Sequence, residues 1–244
     1  MPEGPSIILL KEAVQQFKGK KIISVEGNTK TIDIKSLENK KIIDFKSWGK
    51  HFLVCFDSFT IKIHFLMFGS YSVNEIKDKP VRMLLKFKNG FICFYTCSIK
   101  MIPDDPDKIY DWSGDVMNDN WNPRKAKIKL KALPDDLACD ALLNQAIFAG
   151  VGNIIKNEIL FRIRLHPESV IGKIPSHKIN KMIAEARNYS FDFLKWKRIY
   201  ELKKHYLIYT KKVCPRCNIK VTRKHTGKNK RRSFFCNNCQ ILYA

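Results

Sequence analysis

The sequence contains no apolar run of about 18 residues, the length that a helix needs to cross a membrane. Its start also lacks the basic segment followed by an apolar segment that is typical of a secretory signal. A membrane protein and a secreted protein are therefore disfavoured. We expect a soluble, intracellular protein of the cytoplasm.

Acidic residues are few: the 244 residues include 23 Asp and Glu against 45 Lys and Arg, which gives a formal net charge of +22 at pH 7. A field of this sign attracts polyanions. Nucleic acid is the first partner to expect, because an anionic membrane surface, the competing partner, has no apolar run to support it. The apolar content of 45% excludes a wholly disordered chain and suits one large or two modest domains.

Four of the eight cysteines form two Cys-x2-Cys pairs separated by eighteen residues near the end of the chain. They are Cys214, Cys217, Cys236 and Cys239. This spacing is typical of a zinc ribbon, and four thiolates leave no open position for a substrate, so we expect one structural Zn²⁺ per chain. Two disulfides are the alternative, but nothing else indicates an oxidising compartment. The other four cysteines lie in apolar surroundings and are predicted to be buried thiols. These are Cys55, Cys93, Cys97 and Cys139.

The first five residues, Met1-Pro2-Glu3-Gly4-Pro5, indicate amine chemistry. Removal of Met1 would leave Pro2 with a free secondary amine beside the Glu3 carboxylate. An α-amino group has a pKa of about 7.7–8.0 and a lysine amine has one of about 10.4. A larger fraction of the terminal amine than of a lysine amine is therefore neutral at pH 7. Its attack on a sugar or carbonyl carbon gives an iminium ion, and Glu3 is placed to move the protons. An ordinary Pro/Gly-rich start is the alternative.

The pattern of the first half predicts one helix followed by strands. Apolar residues recur at helical spacing over residues 6–18, with Ser6 as a possible N-cap and Gly19 as a stop. From Lys21 to about Met101, short β-branched and aromatic runs alternate with turn residues, which indicates an antiparallel β-sandwich.

Residues 104–119 hold six aspartates and one lysine. This composition is typical of a solvated connector with a short helix or two.

Helical periodicity returns at Asn122, and the second half is predicted to be helical. Asp135 with Asp136 and then Ser176 are candidate N-caps for helices that end near Asn144 and Trp196.

Two glycines at residues 149–153 lead into a helix from Ile154 to Arg162, which gives a helix, two turns and a helix. Backbone amides at such a helix start can bind phosphate, and Asn153 could add a donor. A simple connector is the alternative.

Residues 211–244 carry ten Lys and Arg and no acidic residue, so the predicted ribbon is expected to lie along phosphates. The whole pattern predicts an α+β multidomain fold. Its parts are a β-sandwich with one leading helix over residues 1–118, a helix-two-turn-helix domain over 119–210 and a zinc ribbon over 211–244.

Three motifs in this order resemble the formamidopyrimidine-DNA glycosylase/endonuclease VIII family. They are the start Pro2–Pro5, the turn Gly150–Asn153 continued by Glu158–Arg162 and His166-Pro167, and the ending Arg231 with Phe235–Gln240. The resemblance covers essentially the whole chain. It implies a DNA glycosylase/AP lyase of base excision repair that flips a damaged nucleotide out of double-stranded DNA. It also implies a monomer without a small-molecule cofactor, located in the cytoplasm at the nucleoid or elsewhere inside the cell.

The resemblance assigns roles to single residues. Pro2 would attack C1′ as the nucleophile, and Glu3 would protonate the sugar-ring oxygen. Lys50 matches the family's lysine near the lesion's sugar and phosphate, and Asn153 and Arg231 match donors to the flanking phosphates. The Schiff base would drive β- and usually δ-elimination. Without the resemblance, Lys50 and Arg231 are read as solvated charges.

The run from His64 to Gly69 aligns with the loop that fills the gap left by the flipped base. Leu66, Met67 and Phe68 are the candidates, and Met67 is the main one, because strand alternation would bury some of them. His64 is expected to be a hydrogen-bonded structural histidine.

Three departures from the family pattern concern the substrate. Ser6 stands where many relatives carry glutamate, and residues 96–101 lack the Arg and Phe that contact the orphaned base in purine-type enzymes. The segment 187–213 is short for the loop that caps an oxidised purine. We therefore expect the endonuclease VIII branch, acting on oxidised pyrimidines. The alternatives are an oxidised-purine glycosylase of the same fold and a non-catalytic zinc-ribbon protein that binds DNA.

Overall fold

The computed structural model describes residues 2–244, and the chain divides into two compact units, Met1–Asp111 and Trp112–Ala244. The second unit contains both the helical region and the cysteine-rich end, so the division into three domains at residues 118 and 210 stays a prediction. No helix among the described residues has both the length and the apolar character needed to cross a bilayer.

The first unit is built on two four-stranded antiparallel sheets, with strand orders β1-β6-β7-β5 and β2-β3-β4-β8. The strands are β1 (Ser24–Glu26), β2 (Asp44–Trp48), β3 (His51–Cys55), β4 (Thr60–His64), β5 (Ser70–Val73), β6 (Met83–Phe87), β7 (Gly90–Tyr95) and β8 (Ser98–Ile102). Side chains from both sheets meet in one buried cluster that includes Phe52, Ile63 and Phe94. The predicted sandwich is confirmed. Cys55, Cys93 and Cys97 are buried, as expected.

The leading helix α1 (Gly4–Ala13) begins two residues before the predicted start. Ser6 is not its N-cap, because Glu3 occupies that position and the Ser6 N–H donates to the Glu3 carbonyl at 2.8 Å. Pro5 explains the difference, since its fixed φ suits the first turn and its missing N–H would be unpaired there anyway. The helix packs against β2 and β3 through an apolar face that includes Ile7.

The acidic stretch 104–119 is solvated only in its first half. There α2 (Pro106–Ile109) forms a short helix capped by the exposed Asp105. Val116 and Met117 are buried, and the buried Asp115 carboxylate accepts the Met117 N–H at 2.9 Å. The expectation of a solvated connector is therefore wrong for the second half, where the buried carboxylate is hydrogen-bonded and lies beside buried apolar side chains.

The second unit contains four α-helices and a hairpin. These are α3 (Pro123–Lys131), α4 (Ala138–Leu143), α5 (Asn153–Arg162), α6 (Ser176–Arg198), β9 (Thr222–Thr226) and β10 (Arg231–Phe235). Asn122 caps α3 by accepting the N–H groups of residues 124 and 125. Cys139 on α4 is buried, as expected.

Two predicted N-caps in the second unit are wrong. The N-cap position of α4 is Leu137, since Asp136 forms an ion pair with Lys228 instead of capping the helix. Ser176 is the first residue of α6, following Pro175 at the N-cap position.

Candidate functional site

The start of the chain places a carboxylate directly behind Pro2. Pro2 is half-buried, whereas Glu3 is 1% exposed and has an extended backbone (φ −114°, ψ 173°). Glu3 lies at the N-terminus of α1, where the positive end of the helix dipole stabilises a nearby carboxylate. Met1 lies outside the described residues. The proposed nucleophile therefore keeps part of its surface exposed, and its neighbouring acid is shielded from water.

Lys50 lies in the turn between β2 and β3. The preceding Gly49 has φ 52°, a conformation that glycine adopts without steric cost. The turn brings Trp48 opposite His51, so that Lys50 projects from the end of a paired ladder. Lys50 is half-buried, which limits the orientations of its side chain.

Two histidines next to Lys50 are held neutral. His51 faces His64 across β3 and β4, with ring centroids 5.6 Å apart, and its Nδ1 lies 3.2 Å from the Tyr110 hydroxyl. Burial, reinforced by Lys62, His64 and Lys50, lowers the pKa of His51 to about 4. Burial with Lys50 and Lys62 also lowers the pKa of His64. The positive charge at this turn therefore belongs to the lysines. Sequence reasoning did not identify His51 or Tyr110.

Three apolar side chains form an exposed turn between β4 and β5. Leu66, Met67 and Phe68 are 48%, 53% and 79% exposed. The turn is closed by the Gly69 N–H, which donates to the Phe65 carbonyl at 2.8 Å. The expectation that alternation would bury some of them is wrong, because residues 66–68 form a turn and not a strand. His64 is hydrogen-bonded, as expected, since its Nδ1 accepts the Leu66 N–H at 3.3 Å.

The glycine turn of the second unit leads into α5. Gly150 has φ 99° and Gly152 occupies the N-cap position, so α5 starts at Asn153, one residue before the predicted start. Asn153 is only 7% exposed. Its Nδ2 donates to the Arg232 carbonyl at 3.0 Å, and its Oδ1 has no hydrogen-bond partner among residues 2–244.

Further donors on α5 hold the same strand. Lys156 and Asn157 also donate to the Arg232 carbonyl, each at 3.4 Å. Asn157 in addition accepts the Phe234 N–H at 2.8 Å. The structure thus brings the start of β10, which carries Arg231, against the first turns of α5. The spacing of the sequence could not show this contact.

The single carboxylate of α5 fixes the segment that leads to the ribbon. Buried Glu158 accepts the backbone N–H groups of Leu207, Ile208 and Tyr209 at 2.9, 3.0 and 2.7 Å. Burial raises the pKa of Glu158, against the lowering effect of these three hydrogen bonds. The motif that carried the resemblance includes Glu158, but its role as a positioning group was missed.

The four ribbon cysteines come together. Their sulfur atoms all lie within 4.8 Å of one another, and those of Cys214 and Cys239 are 3.8 Å apart. A tetrahedral zinc site with Zn–S bonds of about 2.3 Å places its sulfurs roughly 3.8 Å apart. A disulfide needs about 2.05 Å, so the arrangement fits a metal and does not fit two disulfides.

The positive charge is concentrated in the second unit. It holds 27 Lys and Arg against ten Asp and Glu, a formal net charge of +17, whereas the first unit holds 18 against 13. A polyanion is therefore attracted mainly to the unit that carries the glycine turn and the ribbon.

Comparison with known proteins connects both units to one family. Residues 1–99 match the formamidopyrimidine-DNA glycosylase N-terminal domain, and residues 118–189 match the formamidopyrimidine-DNA glycosylase H2TH domain. Endonuclease 8-like 3 of Xenopus laevis is 29% identical over 221 residues, which is 85% of this chain and 36% of that protein. The chain thus spans little more than a third of that relative.

Two further comparisons agree with this. DNA-(apurinic or apyrimidinic site) lyase Nei2 of Mycolicibacterium smegmatis is 27% identical over 180 residues, covering 71% of each chain. The crystal structure of Lactococcus lactis formamidopyrimidine-DNA glycosylase, non-covalently bound to DNA containing an AP site, has a TM-score of 0.84 at 20% identity. It covers 98% of this chain and 99% of that one, and likeness at this identity shows the fold.

Proposed function

Because the chain belongs to the formamidopyrimidine-DNA glycosylase/endonuclease VIII family, we propose that it is a DNA glycosylase with AP lyase activity. The observation that carries the proposal is the pair at the chain start, a partly exposed Pro2 followed by Glu3 at 1% exposure. A non-catalytic DNA-binding protein would have no use for a shielded carboxylate beside a terminal amine. Damaged double-stranded DNA is the proposed partner, and the enzyme acts as a monomer inside the cell, where DNA is held.

The proposed chemistry starts at the amine that removal of Met1 exposes. The Pro2 nitrogen attacks C1′ of the damaged nucleotide, and the base leaves with the electrons of the glycosidic bond. Glu3 gives a proton to the ring oxygen as the C1′–O bond breaks, which leaves an iminium ion between Pro2 and C1′. The iminium acidifies the C2′–H bond, so loss of that proton expels the 3′-phosphate in β-elimination. δ-Elimination then releases the 5′-phosphate.

Contacts to the DNA backbone are assigned to Lys50, Asn153 and Arg231. The neutral state of the two histidines beside Lys50 makes its ammonium group the charge at that turn. Asn153 uses one amide N–H on the Arg232 carbonyl and retains a second donor for a phosphate. Arg231 begins the strand that α5 holds in place.

The exposed turn at residues 66–68 is the proposed wedge. Apolar side chains inserted between bases offset an unstacking cost of a few kcal/mol per step. Met67 is the main candidate and Leu66 and Phe68 are its neighbours. Because Phe68 is highly exposed, it should contribute more to filling the gap than the sequence indicates.

Oxidised pyrimidines are the proposed substrate class. Residues 98–102 form β8, which pairs with β4 in a regular ladder and offers neither an Arg nor a Phe to an orphaned base. The relatives named endonuclease 8-like agree with the expected endonuclease VIII branch. Release of thymine glycol and dihydrouracil should therefore exceed release of 8-oxoguanine. Faster release of the oxidised purine would favour the alternative, an oxidised-purine glycosylase.

The four cysteines are proposed to hold one structural Zn²⁺. Since all four positions are thiolates, the metal would stabilise the ribbon and take no part in the reaction. Metal analysis of the purified protein should give one zinc per chain.

Borohydride trapping with abasic-site DNA tests the proposed activity. Reduction of the iminium ion should give a stable covalent adduct, and mass spectrometry should place it on Pro2 in protein that has lost Met1. Pro2→Gly and a form that retains Met1 should give little or no adduct at residue 2 while still binding the DNA. A binding protein without catalysis would give no adduct in any form.

A further inference from the structure

A groove with a volume of about 470 Å³ lies between α3 and α6 of the second unit. It is separate from the glycine turn and the ribbon, whose residues do not line it. No Asp or Glu lines it either. Its size is in the range of about 300–1,000 Å³ that is typical of small-ligand sites.

One wall of the groove is cationic and the other carries amides. Arg124 and Lys127 project from α3. Asn180, Ala184 and Asn188 form an exposed stripe along α6, four residues apart and therefore on one face. The small side chain of Ala184 leaves room between the two amides. The side chains of both asparagines have no hydrogen-bond partner among residues 2–244, so donors and acceptors are available on this wall.

An indole is part of the groove lining. Trp121 is half-buried, with its ring centroid 6.0 Å from that of Phe148. The preceding segment is fixed by Arg187, whose guanidinium donates to the carbonyls of Val116 and Asn118 at 2.9 and 2.8 Å. The indole is therefore held in a defined position while part of its surface faces the groove.

We propose that this groove binds a short segment of single-stranded DNA, one nucleotide of which stacks on Trp121. The edges of its base are read by Asn180 and Asn188, and its phosphates lie against Arg124 and Lys127. A base that stacks on an aromatic side chain contributes about 1–3 kcal/mol. A duplex would not fit, because its base faces and Watson–Crick edges are already occupied. The site has no part in the chemistry at Pro2 and extends the proposed function with a second contact to DNA.

The residues that line the groove distinguish it from an ordinary charged helix face. A solvated basic face needs neither an aromatic residue in a groove lining nor two amides with unused donors. The helix α3 itself supplies the comparison, since Lys125 and Lys131 are exposed on it but lie outside the groove. Charge reversal at these lysines changes the net charge as much as reversal at Arg124 and Lys127 does.

Photocrosslinking tests the proposal on the full chain. A lesion-free ten-nucleotide single strand with 5-iodouracil should crosslink to the peptide that contains Trp121, as located by mass spectrometry. The crosslink should persist when the protein is saturated with a duplex that carries a stable abasic analogue. Loss of the crosslink under saturation would overturn the proposal, because the strand would then occupy the lesion-binding surface.

Variants make the test quantitative. Trp121→Ala and the double variant Arg124→Glu/Lys127→Glu should weaken binding of the oligonucleotide to the duplex-saturated protein about tenfold, a loss of about 1.4 kcal/mol. Trp121→Phe should keep most of the affinity and controls for folding. Lys125→Glu/Lys131→Glu should weaken binding much less. A loss of affinity equal to that of Arg124→Glu/Lys127→Glu would show that only net charge matters, which would refute a specific site in the groove. Binding of free thymidine monophosphate as tight as that of the oligonucleotide would refute a site for a strand.

The outcome can be separated from that of the catalytic proposal. Crosslinking requires neither a lesion nor a free Pro2 amine. Borohydride trapping on an abasic duplex should be unchanged in Trp121→Ala. A missing crosslink with normal trapping would refute the groove alone, and a normal crosslink with no trapping would refute the proposed chemistry alone.

Discussion

The carboxylate of Asp140 accepts the backbone N–H of Lys228 at 2.9 Å. Asp140 is buried on α4, and Lys228 lies at the tip of the hairpin formed by β9 and β10. The neighbouring Gly227 has φ 72°, and a Cβ there would lie 2.3 Å from the Asp140 Oδ2. The tip can therefore approach Asp140 only with glycine at that position. Arg231 lies three residues after Lys228, at the start of β10. Asp140 therefore positions the hairpin that carries Arg231.

We expect Asp140→Ala to weaken binding to an abasic-analogue duplex. The partly buried hydrogen bond from the Lys228 N–H to a charged acceptor would be lost, at a cost of about 1–3 kcal/mol, and the hairpin tip would move. Fluorescence anisotropy at fixed salt measures the affinity.

Asp135→Ala is the matched control, because Asp135 is an exposed carboxylate in the loop that precedes α4. By charge alone, either change removes a negative group and should strengthen DNA binding. The change in DNA affinity should therefore have opposite signs in the two variants. Tighter binding by both would contradict the positioning role of Asp140.

Removal of the metal should unfold the ribbon and leave the first unit folded. Thiolate ligation supplies folding free energy to small zinc modules, whereas the sandwich has its own apolar core. After treatment with a chelator, hydrogen exchange should become fast in β9 and β10 and stay slow in β2–β4. DNA binding should weaken and return on addition of Zn²⁺. Protection of β9 and β10 that survives demetallation would show that the metal is not needed for the ribbon fold.

Acidification should destabilise the protein through His51. Its pKa is lowered from 6.5 to about 4 in the folded state. Between these values the unfolded imidazole takes up a proton that the folded one does not, so the free energy of unfolding falls as the pH falls from 6.5 to 4. The contribution is at most about 3 kcal/mol.

Urea unfolding at several pH values measures this dependence. His51→Gln should flatten the slope between pH 6.5 and 4, since glutamine does not titrate. The exposed His177→Gln is the control and should leave the slope as it is. Equal slopes in all three proteins would rule out His51 as the cause.

The features that depend on residues close together in the sequence could be predicted from local patterns. The cysteine spacing predicted the sulfur cluster, and the alternating apolar runs predicted the sandwich. The start of α1 was misplaced because Ser6 is a good N-cap, while Pro5 makes an earlier start equally favourable. Neither residue alone decides between the two starts.

Positions that depend on distant partners could not be predicted. Three hydrogen bonds connect residues that are far apart in the sequence. The separations are 79 residues for Asn153 and Arg232, 50 for Glu158 and Ile208, and 88 for Asp140 and Lys228. No periodicity connects such pairs, and an isolated Glu or Asn on a helix looks like a surface residue. The sequence therefore indicated candidate phosphate-binding residues but not the framework that orients them.

Salt dependence of DNA binding should identify the phosphate contacts. About four neutralised phosphates give a slope near −3.6 in a plot of log K against log salt, because each contributes about −0.9. Arg231→Ala and Lys50→Ala should each reduce the slope by about 0.9. Lys88→Ala, at the exposed turn between β6 and β7, should leave it nearly unchanged. A slope that stays the same in Arg231→Ala would remove that residue from the contact set.

Truncation of the wedge should impair excision from duplex DNA only. Met67 and Phe68 are largely exposed, so Met67→Ala and Phe68→Ala should change the free energy of unfolding by less than about 0.5 kcal/mol. Without them, the gap left by a flipped nucleotide stays unfilled, and the rate on a paired lesion should fall about tenfold, which corresponds to about 1.4 kcal/mol.

The same lesion in a single strand or an unpaired bulge provides the internal comparison. There is little stacking to replace in such a substrate, so the rate should stay within about twofold of the unmodified protein. Ile76→Ala removes another exposed apolar side chain of the first unit and should affect neither substrate. If Met67→Ala and Phe68→Ala slow both substrates equally, the turn supports the catalytic residues themselves, and insertion into the helix is not its role.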